Sequence, residues 1–192
     1  MLDKTKGKDY NLNIVMSAQP KLHILFNREE IEATVSNLAT KINNDYHSKH
    51  PILIGVLKGA FVFMADLIRH LDFSPEVEFI RVSSYGRGRE SSGRIKVVHG
   101  LRSPIKDRDV LVIEDIVDTG RTQAFLLDYL RKKEPASVRL CALTDKPARR
   151  QVPVTIDYLG LTVPNKFIVG YGIDWDEKFR YLPDICFVGV ED

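Results

Sequence analysis

Three acidic residues follow one apolar segment closely enough to act on a single ligand. The segment from Val110 to Ile113 predicts a strand covered on both faces, and Glu114, Asp115 and Asp118 come directly after it. Burying carboxylates without partners is costly, so we expect these groups to face a ligand. Carboxylate oxygens accept hydrogen bonds from sugar hydroxyls and coordinate Mg²⁺.

The turn after this strand, Asp118 to Thr122, has the sequence DTGRT and leads into a predicted helix. Its backbone N–H groups and two threonine hydroxyls can converge on a phosphate at the helix start. Three nearby acids would repel a bare phosphate, so the pattern favours a phosphorylated sugar with a free diol. An alternative stays open, in which Asp118 or Thr119 only caps the helix and Glu114 and Asp115 are surface residues.

Other nucleotide-binding patterns receive no support. The glycine-rich segment GRGRESSG joins two predicted strands instead of opening a helix, and the sequence contains no GxxxxGK[ST]. Neither a dinucleotide fold nor a P-loop is therefore predicted.

Strands and helices alternate through the middle of the chain. A helix is expected to open at Asn27, with Glu30 as its capping-box partner. Further helices are predicted from residues 60 and 119, and strands at 51–57, 76–85, 94–98, 110–116, 137–144, 154–160 and 166–172. This order predicts an α/β domain with a mainly parallel sheet and ligands beyond the carboxyl ends of its strands.

Composition limits the classes of partner. A net charge of +2 is too small to indicate nucleic-acid binding, and no apolar run is long enough to cross a membrane. The N-terminus lacks a signal-peptide pattern, so we expect a cytoplasmic protein. Cys141 and Cys186 lie in apolar runs and are predicted to be buried thiols. One domain spanning 1–192 is expected, with residues 1–20 as an N-terminal arm.

The stretch VLVIEDIVDTGRT resembles the phosphoribosyl-pyrophosphate (PRPP) signature of type I phosphoribosyltransferases, in its 6-oxopurine form. Further matches to the hypoxanthine(-guanine) branch of that family are LKGAFVFMADL, VSSYG with ESSG, DKPARR and PNKFIVGYGIDWDEKFRYLPDI, and the resemblance covers residues 22–188. It implies a central, mainly parallel sheet flanked by helices, a small hood lobe, a flexible hairpin lid, and a homodimer or homotetramer.

The resemblance also implies a reaction, in which the 5-phosphoribosyl group passes from PRPP to N9 of hypoxanthine or guanine with Mg²⁺ present. Glu114 and Asp115 would bind the ribose diol and a Mg²⁺ ion. Asp118 would in addition be the general acid/base at N7 of the purine. The residues that would hold the 5′-phosphate are Asp118, Thr119, Gly120, Arg121 and Thr122.

For the pyrophosphate group, the resemblance points to Lys58 and Gly59, in a loop whose peptide before the lysine is often cis in the family. Arg180 would bind the same group, and Asp174 a second Mg²⁺ ion. The alternatives are a solvated Lys58 in an ordinary turn and a surface salt bridge between Asp174 and Arg180.

For the base, Lys146 would donate to the purine O6, Phe167 would stack on the ring, and the backbone of Ile168 would contact the base edge. Ser84 and Tyr85 would begin a mobile lid over residues 84–94. The alternatives are a solvated lysine, a core phenylalanine and a long exposed hairpin.

Four residues depart from the family pattern: Arg87 and Arg89 make the lid basic, Trp175 stands where tyrosine is common, and Gln123 replaces an apolar residue. Two other functions stay open. One is a regulator that binds RNA or DNA with PRPP as effector, and the other is a phosphoribosyltransferase for xanthine or a pyrimidine.

Overall fold

The computed structural model describes residues 20–84 and 95–189. Six strands form the central sheet: β2 (Ile52–Leu57), β3 (Glu76–Ser84), β4 (Ile95–His99), β5 (Asp109–Val117), β6 (Ser137–Asp145) and β7 (Tyr158–Thr162). Their order is β4-β3-β2-β5-β6-β7, and every neighbouring pair is parallel except β3 and β4. The predicted mainly parallel α/β sheet is confirmed.

In the described part of the chain, three α-helices flank the sheet: α1 (Arg28–Tyr46), α2 (Phe61–Arg69) and α3 (Arg121–Arg131). The predicted capping box at α1 is present, because the Glu30 N–H donates to Asn27 Oδ1 at 2.9 Å and the Asn27 N–H donates to Glu30 Oε2 at 2.8 Å. The apolar face of α1 is buried against the sheet.

Alternation along β5 sends its side chains to opposite faces of the sheet. Leu111 and Ile113 pack in the core that includes α1 and α2, whereas Val110 and Val112 pack in the core that includes α3. The next two residues inherit the alternation, so Glu114 lies on the α3 side and Asp115 on the α2 side. One strand therefore delivers two acids to two different neighbours.

A second, antiparallel sheet lies apart from the central one. It has the order β1-β9-β8 and is formed by β1 (Leu22–Phe26), β8 (Ile168–Val169) and β9 (Ile185–Val188). The prediction that residues 166–172 extend the main sheet is wrong. Gly170 and Gly172 have φ values of 101° and 95°, which turn the chain away after two residues of pairing.

The strand predicted at 154–160 begins only at Tyr158. The Asp157 carboxylate accepts a hydrogen bond from the Leu140 N–H at 2.8 Å, so a side chain occupies the donor that a longer ladder would need. Cys141 and Cys186 are buried free thiols, as predicted.

Several predictions concern residues outside the described ranges. The residues concerned are Tyr85, Arg87, Arg89 and most of the predicted N-terminal arm and lid. Within residues 20–84 and 95–189, no helix is long and apolar enough to span a membrane.

The capping box of α1 provides a test of this part of the fold. We expect Asn27→Ala to lower the free energy of unfolding by about 1 kcal/mol, because the Glu30 N–H loses its acceptor. Asn27→Ser should retain most of the stability. Urea unfolding measures both, and equal stability of Asn27→Ala and the unmodified chain would contradict the role of the cap.

Candidate active site

Two cavities meet at the carboxyl edge of the central sheet. One, of about 460 Å³, is lined by the Lys58 loop and the acids of β5, and the other, of about 360 Å³, by Lys146 and Phe167. Ile116 and Asp118 line both. The strand register produces this junction, since Val117 pairs with Asp145 and their successors Asp118 and Lys146 emerge side by side.

The two acids at the end of β5 are buried, with 5% of Glu114 and 8% of Asp115 exposed. The alternative that they are surface residues is therefore wrong. Burial raises the pKa of Glu114 well above its usual range, and the neighbouring Asp115 adds to the rise. Burial also raises the pKa of Asp115. Glu114 Oε2 accepts a hydrogen bond from the Gln123 side-chain amide at 2.9 Å.

The turn from Asp118 to Thr122 leads into α3 as predicted, but its cap differs from the alternative considered above. The N-cap residue is Gly120, with φ 81°, so neither Asp118 nor Thr119 occupies that position, although the Arg121 N–H donates to Thr119 Oγ1 at 3.4 Å. A Cβ on Gly120 would overlap the Val152 carbonyl oxygen. Only glycine fits this left-handed, crowded position.

Two backbone contacts connect this turn to the loop after β6. The Thr119 carbonyl oxygen accepts from the N–H groups of Gln151 and Val152 at 2.9 and 3.0 Å. Thr119 and Thr122 line the larger of the two cavities, and Arg121 begins α3 with an exposed side chain.

The loop after β2 lies against the acidic pair. The peptide between Leu57 and Lys58 is cis. A Cβ on Gly59 would overlap the Asp115 carboxylate, so the absence of a side chain lets this backbone approach the acid. Lys58 Nζ forms an ion pair with Glu177 at 2.7 Å.

Arg180 is held by three contacts. It donates to the Gly172 carbonyl oxygen at 2.8 Å, and its Nη2 lies 2.8 Å from Asp174 and 3.4 Å from Glu177. The predicted alternative of an Asp174–Arg180 ion pair is thus present, although the arginine side chain is largely buried. Glu177 connects the two cations predicted to bind pyrophosphate, and sequence reasoning missed it.

The three predicted metal ligands do not form one cluster. Glu114 and Asp115 line the larger cavity and Asp174 the smaller one. Across residues 20–84 and 95–189, no three acidic, histidine or cysteine side chains are gathered in a metal-binding group. Two carboxylates beside a phosphate-sized cavity nevertheless fit Mg²⁺, which usually takes one or two protein carboxylates and completes its shell with water and substrate oxygens.

The smaller cavity combines a cation with an aromatic ring. Lys146 is 6% exposed, and its Nζ donates to the Lys166 carbonyl oxygen at 2.8 Å, which orients the ammonium group. Burial lowers the pKa of Lys146. Phe167 is 54% exposed and is therefore not a core residue. Its ring contacts that of Trp175 edge-on, with 5.8 Å between the ring centroids. Ile168 is buried in β8 and lines the cavity.

Asp118 has a partner that sequence reasoning did not assign. Its Oδ1 lies 3.0 Å from Nε of Arg149, which follows Lys146 in the short 3₁₀ turn Pro147–Arg149. The neighbouring Arg150 pairs with Asp145 at the end of β6. The only sequence signal for these contacts was the basic pair in DKPARR.

Comparison with known proteins places this chain in a family. The model of the phosphoribosyl transferase domain matches residues 23–176. The chain belongs to the phosphoribosyltransferase family. It is 47% identical over 167 residues to the hypoxanthine-guanine phosphoribosyltransferase of Streptococcus thermophilus, which covers 87% of this chain and 91% of that protein.

Solved structures agree with this assignment of fold. The hypoxanthine phosphoribosyltransferase of Staphylococcus aureus superimposes with a TM-score of 0.84 at 36% identity, covering 93% of this chain and 96% of that one. The type I phosphoribosyltransferase fold expected from the sequence is confirmed.

Some relatives are much longer. The bifunctional protein TilS/HprT of Listeria monocytogenes is 44% identical over 87% of this chain, and the chain spans about a quarter (25%) of the length of that relative.

The contact between Gly59 and Asp115 generates a prediction. Gly59→Ala should weaken PRPP binding at least about tenfold and lower stability by about 1–3 kcal/mol, because the new methyl group must displace a buried acid or its own loop. Calorimetric titration and urea unfolding measure the two effects.

Gly100→Ala is the matched control, since the nearest atom to its added Cβ, Tyr129 Oη, lies 3.7 Å away. We expect that variant to bind and unfold like the unmodified chain. A Gly59→Ala variant with unchanged PRPP affinity would contradict the predicted pyrophosphate-binding role of this loop.

Proposed function

We propose that the protein is a purine-salvage enzyme that transfers the 5-phosphoribosyl group from PRPP to N9 of hypoxanthine, giving IMP and pyrophosphate. Guanine, which would give GMP, is the second acceptor to be tested. The family membership and the relatives named hypoxanthine-guanine phosphoribosyltransferase support this activity.

One observation supports the proposal most strongly: Asp118 lines both cavities. One cavity has acids and a phosphate-sized turn, which suit a phosphorylated sugar, and the other has a lysine and an exposed ring, which suit a planar oxo base. A carboxylate at the junction can reach the atoms that react. Transfer of a group between two ligands requires that they bind next to each other, and Asp118 lines the cavity of each.

In the proposed reaction, N9 of the base forms a bond to C1′ of the ribose while the bond from C1′ to pyrophosphate breaks. The pyrophosphate leaves with the electron pair, and Asp118 accepts the proton released at N7. Thr119, Thr122 and the amides at the start of α3 hold the 5′-phosphate. Glu114 and Asp115 accept hydrogen bonds from the ribose hydroxyls.

When bound, Mg²⁺ would neutralise part of the charge on pyrophosphate; Glu114 and Asp115 would hold one ion and Asp174 a second. Lys58 and Arg180 would bind the pyrophosphate oxygens. Both cations already have acidic partners in Glu177 and Asp174, so pyrophosphate would exchange with these carboxylates.

Base selectivity would follow from the chemistry of one lysine. The Lys146 ammonium donates hydrogen bonds and accepts none, which favours the 6-oxo group of hypoxanthine over the 6-amino group of adenine. Phe167 would stack on the base, and the backbone at Ile168 would contact its edge.

We further propose a cytoplasmic homodimer or homotetramer. A third cavity, of about 670 Å³, lies between α1 and α2 and ends at the exposed Tyr181, with Phe61 also exposed beside it. Apolar side chains gathered on such a surface suit contact with a second subunit. Two reduced, buried cysteines agree with a cytoplasmic location.

A spectrophotometric comparison of four bases tests the activity. With PRPP and Mg²⁺, we expect turnover of hypoxanthine, measurable turnover of guanine, and none of adenine, with xanthine as the fourth base. Absence of turnover with every oxopurine would remove the proposal. Preference for xanthine would instead indicate a related phosphoribosyltransferase that is specific for xanthine.

Replacing the junction acid tests its role in proton transfer. Asp118→Asn should lower kcat by about 10²–10⁴-fold and leave PRPP affinity within a few-fold, because the amide keeps the shape but accepts no proton. Asp128→Asn, on the exposed face of α3 and paired with Lys132, is the control and should leave kcat unchanged. An unaltered kcat in Asp118→Asn would show that the acid is structural.

Lys146→Ala should raise KM for hypoxanthine and reduce discrimination against adenine. Because burial lowers the pKa of Lys146, its ammonium is lost at a lower pH than that of an exposed lysine, near 10.4. Hypoxanthine KM in the unmodified enzyme should therefore rise with pH below that range, and Lys146→Ala should not show this rise. Steady-state kinetics across pH measure it, with the exposed Lys132→Ala as control.

A further inference from the structure

Gln123 is a buried amide on the first turn of α3 that the proposed reaction does not use. Only 6% of the residue is exposed, and it lines the cavity of about 460 Å³ together with Glu114. Its Nε2 donates to Glu114 Oε2 at 2.9 Å and to the Ile116 carbonyl oxygen at 3.4 Å. Because the Ile116 carbonyl oxygen can only accept, the orientation of the amide group follows from this contact.

The contact connects two elements that meet at the site. Glu114 comes from the end of β5, on the side of the sheet that α3 covers, and Gln123 faces it from that helix. The other close neighbour of Glu114 is Asp115, whose charge opposes the ionisation of Glu114 and whose side chain and backbone are also hydrogen-bonded to it. Gln123 is the neutral amide donor among these contacts, and it holds the Glu114 carboxyl group from the α3 side.

A packing role alone does not account for this residue. The other positions that α3 buries are all occupied by leucine, namely Leu126, Leu127 and Leu130. A buried amide costs desolvation that an apolar side chain avoids, and the cost is recovered only through its two hydrogen bonds.

We infer that Gln123 is a positioning residue. It fixes the Glu114 carboxylate at the wall of the cavity of about 460 Å³, where this carboxylate can accept hydrogen bonds from the ribose diol of PRPP. It acts through Glu114 and is not assigned a contact with the ligand. This inference rests on the proposed function, because PRPP is the ligand by which it is tested.

The test is calorimetric titration of PRPP with Mg²⁺, without a base, into the unmodified chain and Gln123→Met. Methionine has nearly the shape of glutamine but donates no hydrogen bond. We expect about tenfold weaker PRPP binding, the scale of losing one strong hydrogen bond, and a lower thermal stability because the buried Glu114 carboxyl group loses a donor. The KM for hypoxanthine should stay within twofold.

Leu127→Met is the matched control, because it places the same side chain one turn further along the buried face of α3. It should bind PRPP like the unmodified chain. Equal weakening in this control would mean that any disturbance of α3 lowers affinity, and unchanged affinity in Gln123→Met would mean that the amide positions nothing. Either result overturns the inference.

A double-mutant cycle then tests whether the effect passes through Glu114. In a Glu114→Met background, adding Gln123→Met should change PRPP affinity by less than twofold, since the group to be positioned is gone. A further tenfold loss would show that Gln123 acts on its own, and would overturn the inference. If the unmodified chain binds no PRPP, the proposed function fails instead.

Side-chain amide NMR gives an answer even where Gln123→Met does not fold. The chain has three glutamines, Gln19, Gln123 and Gln151, so selective ¹⁵N labelling yields three amide pairs. Addition of PRPP with Mg²⁺ to the unmodified chain should shift the Gln123 pair as Glu114 takes up the sugar hydroxyls. A Gln123 pair that does not shift at saturating PRPP would contradict the inference.

Discussion

The burial of two adjacent acids at the end of β5 is the constraint on which the rest of this site depends. Glu114 and Asp115 line the same cavity, but consecutive residues of a strand start on opposite faces of the sheet. Each therefore has its own neighbour, Gln123 for Glu114 and the Gly59 backbone for Asp115. Both neighbours also line the cavity of about 460 Å³. The contacts that offset the cost of burying the acids therefore also shape this cavity.

The parallel sheet supplies the second condition. Because β2, β5 and β6 run in the same direction, the loops that follow them open at one edge. The pairing of Val117 with Asp145 then determines that Asp118 and Lys146 are neighbours, and the Lys146 N–H donates to the Val117 carbonyl oxygen at 3.0 Å. A register shifted by one residue would separate the acid from the lysine.

Local patterns explain which parts of the structure could be predicted. The Asn27 cap, the strand before Glu114 and the turn at Asp118 depend on residues within a few positions of one another, and the sequence alone indicated all three. The antiparallel sheet of β1, β8 and β9 was not predicted from strand patterns, because β1 and β9 are short strands from opposite ends of the chain, each without clear alternation. Apart from the segment from Glu114 to Thr122, the candidate site residues were identified only through motif resemblance.

Contacts between distant residues could not be predicted. Lys58 and Glu177 are separated by 119 positions, and nothing in the sequence near either one indicates the other. The same holds for Gln123, which looked like a departure from a pattern until its amide was found against Glu114.

The bridge that Glu177 makes between Lys58 and Arg180 has a consequence for selectivity among anions. A carboxylate attached to the protein acts as a competitor whose local concentration never falls, so any anion that binds both cations must outcompete it. Chloride or a single carboxylate offers no more charge than Glu177 itself. A diphosphate offers several negative oxygens at once, and this built-in competition therefore discriminates by valence before any shape is recognised.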